Sequence, residues 1–162
     1  MPYEITYLAD HPHHLETIAT WYWEEWDQHE GWDINRSIEF AKNGCNKDKL
    51  DIILLALNEK DECLGTVQLR QDWGLGHETP EKLKHYGPWL GSLYVHPDYR
   101  GKTIGADLCK ALMKATKNIG IDKCYAATAE LDNFFKIKGG QTIDEIDFAG
   151  QHMRIYKFSL EN

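Results

Sequence analysis

The run "VHPDYRGKTIGADL", residues 95–108, places Gly-Lys-Thr at 101–103, the three residues that close a phosphate loop of the Walker type. Such a loop also needs a glycine five residues before its Gly-Lys. This chain has His96 there, followed by Pro97, and the bulky Tyr99 and Arg100 stand where a flexible loop would wrap phosphate. An ATP cradle of that kind is excluded. What remains is a strand, a short turn and the start of a long helix, whose first amides lack intrahelical acceptors and sit at the positive end of the helix dipole. Arg100 and Lys102 add positive charge beside them. The natural guest is a diphosphate.

The elements that must position this run are read from changes in hydrophobic period. "YEITYL" (3–8) alternates as a strand. A helix should follow, with Asp10 as its cap, Pro12 in its first turn, and Leu15, Ile18, Ala19, Tyr22 and Trp26 facing the core. "SIEFAKNG" predicts a short second helix stopped by Gly44. "LDIILLALN" and "CLGTVQLR" predict a hairpin across the charged "EKDE" turn. Residues 72–88 form a long Gly- and Pro-containing connection, in which "GLG" at 74–76 reads as a turn. "WLGSLYVHP" is a strand ended by Pro97, and a helix runs from about Arg100 to Asn118. A strand at 123–128, a short helix ended by Gly139 and Gly140, and a final hairpin complete a single domain over 1–162.

Whole-chain numbers narrow the function. The 162 residues suffice for one core, and a formal charge of −8 argues against a general nucleic-acid surface and suits a cationic partner better. Cys45, Cys63, Cys109 and Cys124 form no CxxC pair, which fits reduced thiols in a cytosol. No stretch approaches the ~20 apolar residues of a membrane span. His11, His13 and His14 surround Pro12 without a fourth ligand nearby in sequence, so no metal is expected. The reading is a soluble cytoplasmic protein.

"PWLGSLYVHPDYRGKTIGADLCKAL" resembles the acetyl-CoA-binding core of the GNAT superfamily of N-acetyltransferases, a strand ending in Val-x-Pro and then Arg/Gln-x-x-Gly-x-Gly/Ala. Here the second part reads Arg100, Gly101, Lys102, Thr103, Ile104, Gly105, with Thr103 in place of the first of the two later glycines. The element order matches over nearly the whole chain. The resemblance implies a mixed α+β fold whose mostly antiparallel sheet opens between two parallel strands, at 89–95 and 123–128. Leu93, Tyr94 and Val95 would offer main-chain groups to the pantetheine arm of acetyl-CoA. The amides from Gly101 to Ala106 would hold its pyrophosphate. Thr128 stands where the family often has an arm-binding Asn.

The chemistry implied is acyl transfer from acetyl-CoA to a primary amine of a small molecule, peptide or protein. A main-chain N–H near Val95 is the expected donor to the carbonyl oxygen as charge develops there. In many members a Tyr of Phe-Tyr-x-x-x-Gly protonates the leaving thiolate; the matching run is "FFKIKGG", with Phe135 at that position. In the histone-modifying branch a Glu on the fourth strand is the base, and the corresponding residue here is Trp89. Glu24, Glu25, Asp72 and Glu130 are the carboxylates that could instead take the amine proton. A lysine amine of pKa ~10.4 enters neutral at a cost of about 4 to 5 kcal/mol, and an α-amine near ~7.7–8.0 at about 1 kcal/mol. An α-amine therefore demands less of a base. Trp21, Trp23 and Trp32 could rim an amine through cation–π attraction. With Phe135 in place of Tyr and no obvious base, a non-catalytic acyl-CoA-binding module is the alternative, as monomer or homodimer.

Overall fold

The computed structural model describes residues 2–73 and 79–160. Its centre is the apolar run of β2 (Ile52–Asn58), which does not alternate because both of its faces are covered. Ile52, Leu54 and Ala56 enter one core, and Ile53, Leu55 and Leu57 another. Around it β1 (Tyr3–Tyr7), β3 (Cys63–Arg70), β4 (Trp89–Val95), β5 (Lys123–Thr128), β6 (Gln141–Phe148) and β7 (Gln151–Ser159) complete a seven-stranded sheet of order β1-β2-β3-β4-β5-β7-β6. Every neighbouring pair is antiparallel except β4 with β5. This is the mixed sheet that the sequence implied.

Helices α1 (Leu15–Glu25) and α2 (Ile34–Lys42) lie on one face, setting Ile18, Ala19, Tyr22 and Ala41 against Ile53, Leu55 and Leu57. The other face receives α3 (Ile104–Asn118) through Ile104, Leu108, Cys109 and Leu112, and α4 (Asp132–Ile137) through Phe135. Gly65 on β3 permits that close approach. A Cβ there would stand 2.9 Å from the Tyr94 carbonyl and 3.2 Å from Leu108 Cδ1.

Several boundaries differ from the sequence reading, each for a local reason. The chain makes two 3₁₀ turns, Leu8–Asp10 and Pro12–His14, before α1 begins at Leu15. Asp10 therefore caps no α-helix; its carboxylate meets Lys47 Nζ at 2.9 Å. Trp26 is 37% exposed rather than core, because α1 ends at Glu25 and Trp26 (φ −131°) leaves the helical region. Helix α2 starts ahead of Ser37 because Asp33 caps it, accepting from the Arg36 amide at 2.9 Å. Helix α3 starts at Ile104, so Arg100 to Thr103 form a loop. The "GLG" turn at 74–76 lies outside the described residues. The end of that connection turns at Glu81–Leu83 and buries Leu83 with Trp73, Trp89, Tyr125 and Ile155. Among the described residues no helix is long and apolar enough to cross a membrane.

Candidate active site

Strands β4 and β5 meet only at their starts. Trp89 pairs with Tyr125, and the Tyr125 amide donates to the Pro88 carbonyl at 2.9 Å; beyond that the register stops. Trp89 and Leu90 are buried, yet Gly91 through Val95 are all half-exposed, although β4 is the fourth of seven strands. The cause lies on the β3 side. Thr66 pairs with Tyr94 and Gln68 with Gly91, so Ser92 and Leu93 oppose Val67 alone, and Ser92 takes the left-handed region at φ 51°. A bulge of this kind bends its strand and re-aims the groups that follow.

The open edge carries main-chain donors. The His96 amide donates across to the Leu64 carbonyl at 2.9 Å, so in the alternation of an antiparallel ladder the N–H and C=O of Val95 face the other edge, into the gap. Arg100 agrees with that direction, since its Nε donates to the Val95 carbonyl at 2.7 Å. The Arg100 guanidinium also stands 5.4 Å from the centre of the Tyr94 ring.

At the mouth of the gap, α3 presents unpaired amides. The first helical bond runs from the Asp107 amide to the Thr103 carbonyl at 2.9 Å, leaving Ile104, Gly105 and Ala106 ahead of it without intrahelical acceptors. Thr103, at the cap position, makes no capping bond. Its hydroxyl instead donates to Asp107 Oδ2 at 3.0 Å and lies 3.1 Å from the Tyr3 hydroxyl, which also donates to Asp107. Gly101 turns the chain at φ 80°, and a Cβ there would meet nothing within 4 Å. Arg100, Gly101, Lys102 and Thr103 are all exposed. Unbonded amides, two cations and open space are groups with which linked phosphates could bond.

On the α1 side of the sheet the residues around the gap are polar and aromatic. Cross-strand partners share a face, so Gln68 lies beside Gly91, and Arg70 beside Trp89. A Cβ on Gly91 would have nothing within 4 Å, which leaves a recess next to Gln68. Both carboxamide atoms of Gln68 are buried without a hydrogen-bond partner among the described residues, as is Arg70 Nε. Arg70 is held by Asp72 at 2.8 Å and by the Phe40 ring at 3.8 Å. Tyr94 carries Trp21 at 4.9 Å and Trp26 at 6.5 Å between ring centres. An unpaired buried amide costs about 1–3 kcal/mol. We therefore expect Gln68→Leu to raise the melting temperature by a few degrees while lowering turnover about tenfold, read by thermal unfolding and by thiol release.

The four proposed carboxylates all lie exposed, Glu24 and Glu25 at the end of α1, Glu130 after β5, and Asp72 paired with Arg70. Asp27, which sequence reasoning passed over, is half-buried just beyond α1; burial pushes its pKa up, against the Ser37 hydroxyl that donates to Oδ2 at 2.6 Å and the nearby Arg70 and Arg36. Its signal was the Asp-x₉-Ser spacing across the α1–α2 turn, which has no motif value alone. Thr128 Oγ1 accepts from the amides of Glu130 and Leu131 at 3.1 and 2.9 Å, so its hydroxyl proton remains free to donate. Phe135 is buried against Phe134, Tyr156 and Phe158. Of the three tryptophans considered for a rim, only Trp21 touches β4. Trp23 Nε1 donates to the Trp32 carbonyl at 2.8 Å, and the Trp32 ring packs on Phe40 and Arg36. Burial pushes the Cys109 and Cys124 thiols up to about 12, which leaves both unreactive.

An amino-acid acetyltransferase of Pasteurella multocida (strain Pm70) is 31% identical over 69 residues, 43% of this chain and 16% of that protein. The chain thus spans about a sixth of the length of this curated relative. The crystal structure of the aminoglycoside 6'-N-acetyltransferase from Enterococcus faecium superposes with a TM-score of 0.73 over 98% of both chains at 15% identity. An aminoglycoside 6'-N-acetyltransferase complexed with coenzyme A gives the same score, coverage and identity. At such identities the fold is what is shared. The model of the acetyltransferase (GNAT) family matches residues 15–138, from the start of α1 through the end of α4. The chain belongs to the acetyltransferase (GNAT) family.

Proposed function

We propose that the protein transfers the acetyl group of acetyl-CoA to a primary amine, with the donor's pyrophosphate at the start of α3 and its pantetheine arm in the gap between β4 and β5. The observation that carries this reading is the loss of β4–β5 pairing just after Trp89 and Tyr125, with uncapped α3 amides at the mouth of the opening. Arg100, Lys102 and the amides from Gly101 to Ala106 hold the phosphates. Leu93, Tyr94 and Val95 supply main-chain partners to the arm, Thr128 a hydroxyl, and Phe135 an apolar wall.

The acceptor approaches over the α1 face, beside Gly91 and Gln68. Its nitrogen attacks the thioester carbon; the Val95 N–H donates to the oxygen as it gains charge, and the carbon–sulfur bond then breaks as CoA thiolate leaves. The proton lost by the amine goes to a carboxylate. Asp27 suits that role better than Glu25, Asp72 or Glu130, because a raised pKa makes a stronger base and Asp72 is already paired with Arg70. A formal charge of −8 favours cationic acceptors. The relatives named above act on aminoglycosides and amino acids, and both belong in the first panel.

The test is release of CoA thiol from acetyl-CoA over a panel of aminoglycosides, free amino acids and peptides with free amino termini. We expect at least one acceptor to be turned over well above the buffer rate. Acetyl-CoA binding with no turnover on any amine would leave the binding-only reading in its place.

A further inference from the structure

We propose that His11, His13 and Asp61, with His14 steadying the carboxylate, form a binding site for a divalent transition-metal ion of the zinc class. The site is separate from the β4–β5 gap and independent of the acetyl-transfer reading. Sequence spacing hides it, because Asp61 lies in the β2–β3 turn, 48 residues from His13. The fold brings the two segments together.

The geometry is set from both sides. On one, Pro12 fixes the backbone between His11 and His13, whose ring centres are 5.9 Å apart, and His14 packs at 4.3 Å from His13. On the other, Asn58 organises the hairpin turn: its carbonyl accepts from the Asp61 amide at 3.1 Å, and its side-chain oxygen accepts from the Lys60 and Glu62 amides at 3.0 and 2.9 Å. The Asp61 side chain takes no part in that turn. It projects toward the histidines from a residue in the left-handed region, φ 61°, which Asp tolerates. Its Oδ2 lies 2.7 Å from His13 Nε2 and its Oδ1 3.1 Å from His14 Nε2.

One nitrogen each from His11 and His13 and one oxygen from Asp61 lie within 4.8 Å of one another. Ligands about 2.0–2.1 Å from a tetrahedral zinc stand roughly 3.4 Å apart, so the wider separations must close while His13 Nε2 and Asp61 Oδ2, now 2.7 Å apart, move away from each other. Exposed side chains can make that movement, and those of His13 and Asp61 are more than half exposed. His14 is different. Its side chain is only 11% exposed and it holds the second carboxylate oxygen, the place of an outer partner that orients a ligand. Three protein ligands leave a fourth position for water, and an imidazole-rich set suits zinc, nickel or copper rather than magnesium or calcium.

The experiment is calorimetric titration of the chelator-treated full chain with zinc chloride, paralleled by cobalt(II) and its visible absorption. We expect one equivalent bound at micromolar or lower concentration, with cobalt bands of a four-coordinate site. His11→Ala leaves the Asp61 bonds to His13 and His14 in place and should bind at least tenfold more weakly with an unchanged metal-free melting curve. Asp61→Asn should lose as much. Cys63→Ser, two residues from Asp61, should bind as the parent does. Absence of heat and of cobalt bands, parental affinity in both His11→Ala and Asp61→Asn, or loss of binding in Cys63→Ser would each overturn the proposal.

Discussion

Arg100→Glu should weaken acetyl-CoA binding by about 10- to 100-fold, the scale of one charge-assisted contact of about 1.5–3 kcal/mol lost and turned repulsive. Arg100 sits at the mouth of the gap, exposed, with its Nε on the Val95 carbonyl. The substitution thus acts twice: it removes a cation from the proposed phosphate seat, and it removes the Arg100 bond to the Val95 carbonyl at the end of β4. Lys110→Glu, the same charge change on an exposed position further along α3, is the control and should alter affinity by less than about threefold. Calorimetric titration with acetyl-CoA reads both. Equal affinities in the parent and Arg100→Glu would move the phosphate seat away from the start of α3.

Gly91→Leu should leave the fold and acetyl-CoA affinity nearly intact and lower acceptor turnover by at least about 100-fold. A Cβ at Gly91 meets nothing within 4 Å, so the side chain grows into open space beside Gln68 rather than into packed atoms. Removing a strand glycine also relieves about 0.5–1 kcal/mol of backbone entropy cost, so stability should rise slightly. The turnover loss follows from geometry, because displacing an acceptor nitrogen by about 1 Å can cost about 100-fold. Thermal unfolding, donor titration and thiol release separate the three effects. A Gly91→Leu protein that turns over its acceptor at the parent rate would show that the amine does not pass over this recess.

The two predictions differ in how visible their residues are in the sequence. Arg100 belongs to a strand, turn and helix contiguous in the chain, where local rules apply: Pro97 ends the strand, apolar spacing announces α3, and Gly101 turns the loop just before Lys102. The recess at Gly91 was not legible. It exists because β3 supplies Gln68 and Arg70, a bulge shifts Ser92 and Leu93, and α1 ends before Trp26, three facts from separate segments. Pattern reading placed Trp26 in the core by helical spacing, since it had no means of seeing the helix stop at Glu25. Asp27 escaped notice for a related reason, as its raised pKa comes from burial and Ser37 becomes its partner only through folding. The histidines stand together in the sequence, but their carboxylate lies in a hairpin that sequence spacing does not bring to them.

The single pairing of Trp89 with Tyr125 divides the sheet into a four-stranded block and a three-stranded block that share one short seam. In the proposed pose, a donor lying along the unpaired edge of β4 would take the place of a neighbouring strand and tie the blocks together while bound. Release of the spent donor would undo that tie. On that proposal the resistance of the two blocks to separate opening rises and falls with donor binding, and amide exchange along β4 and β5 should slow when the donor is loaded.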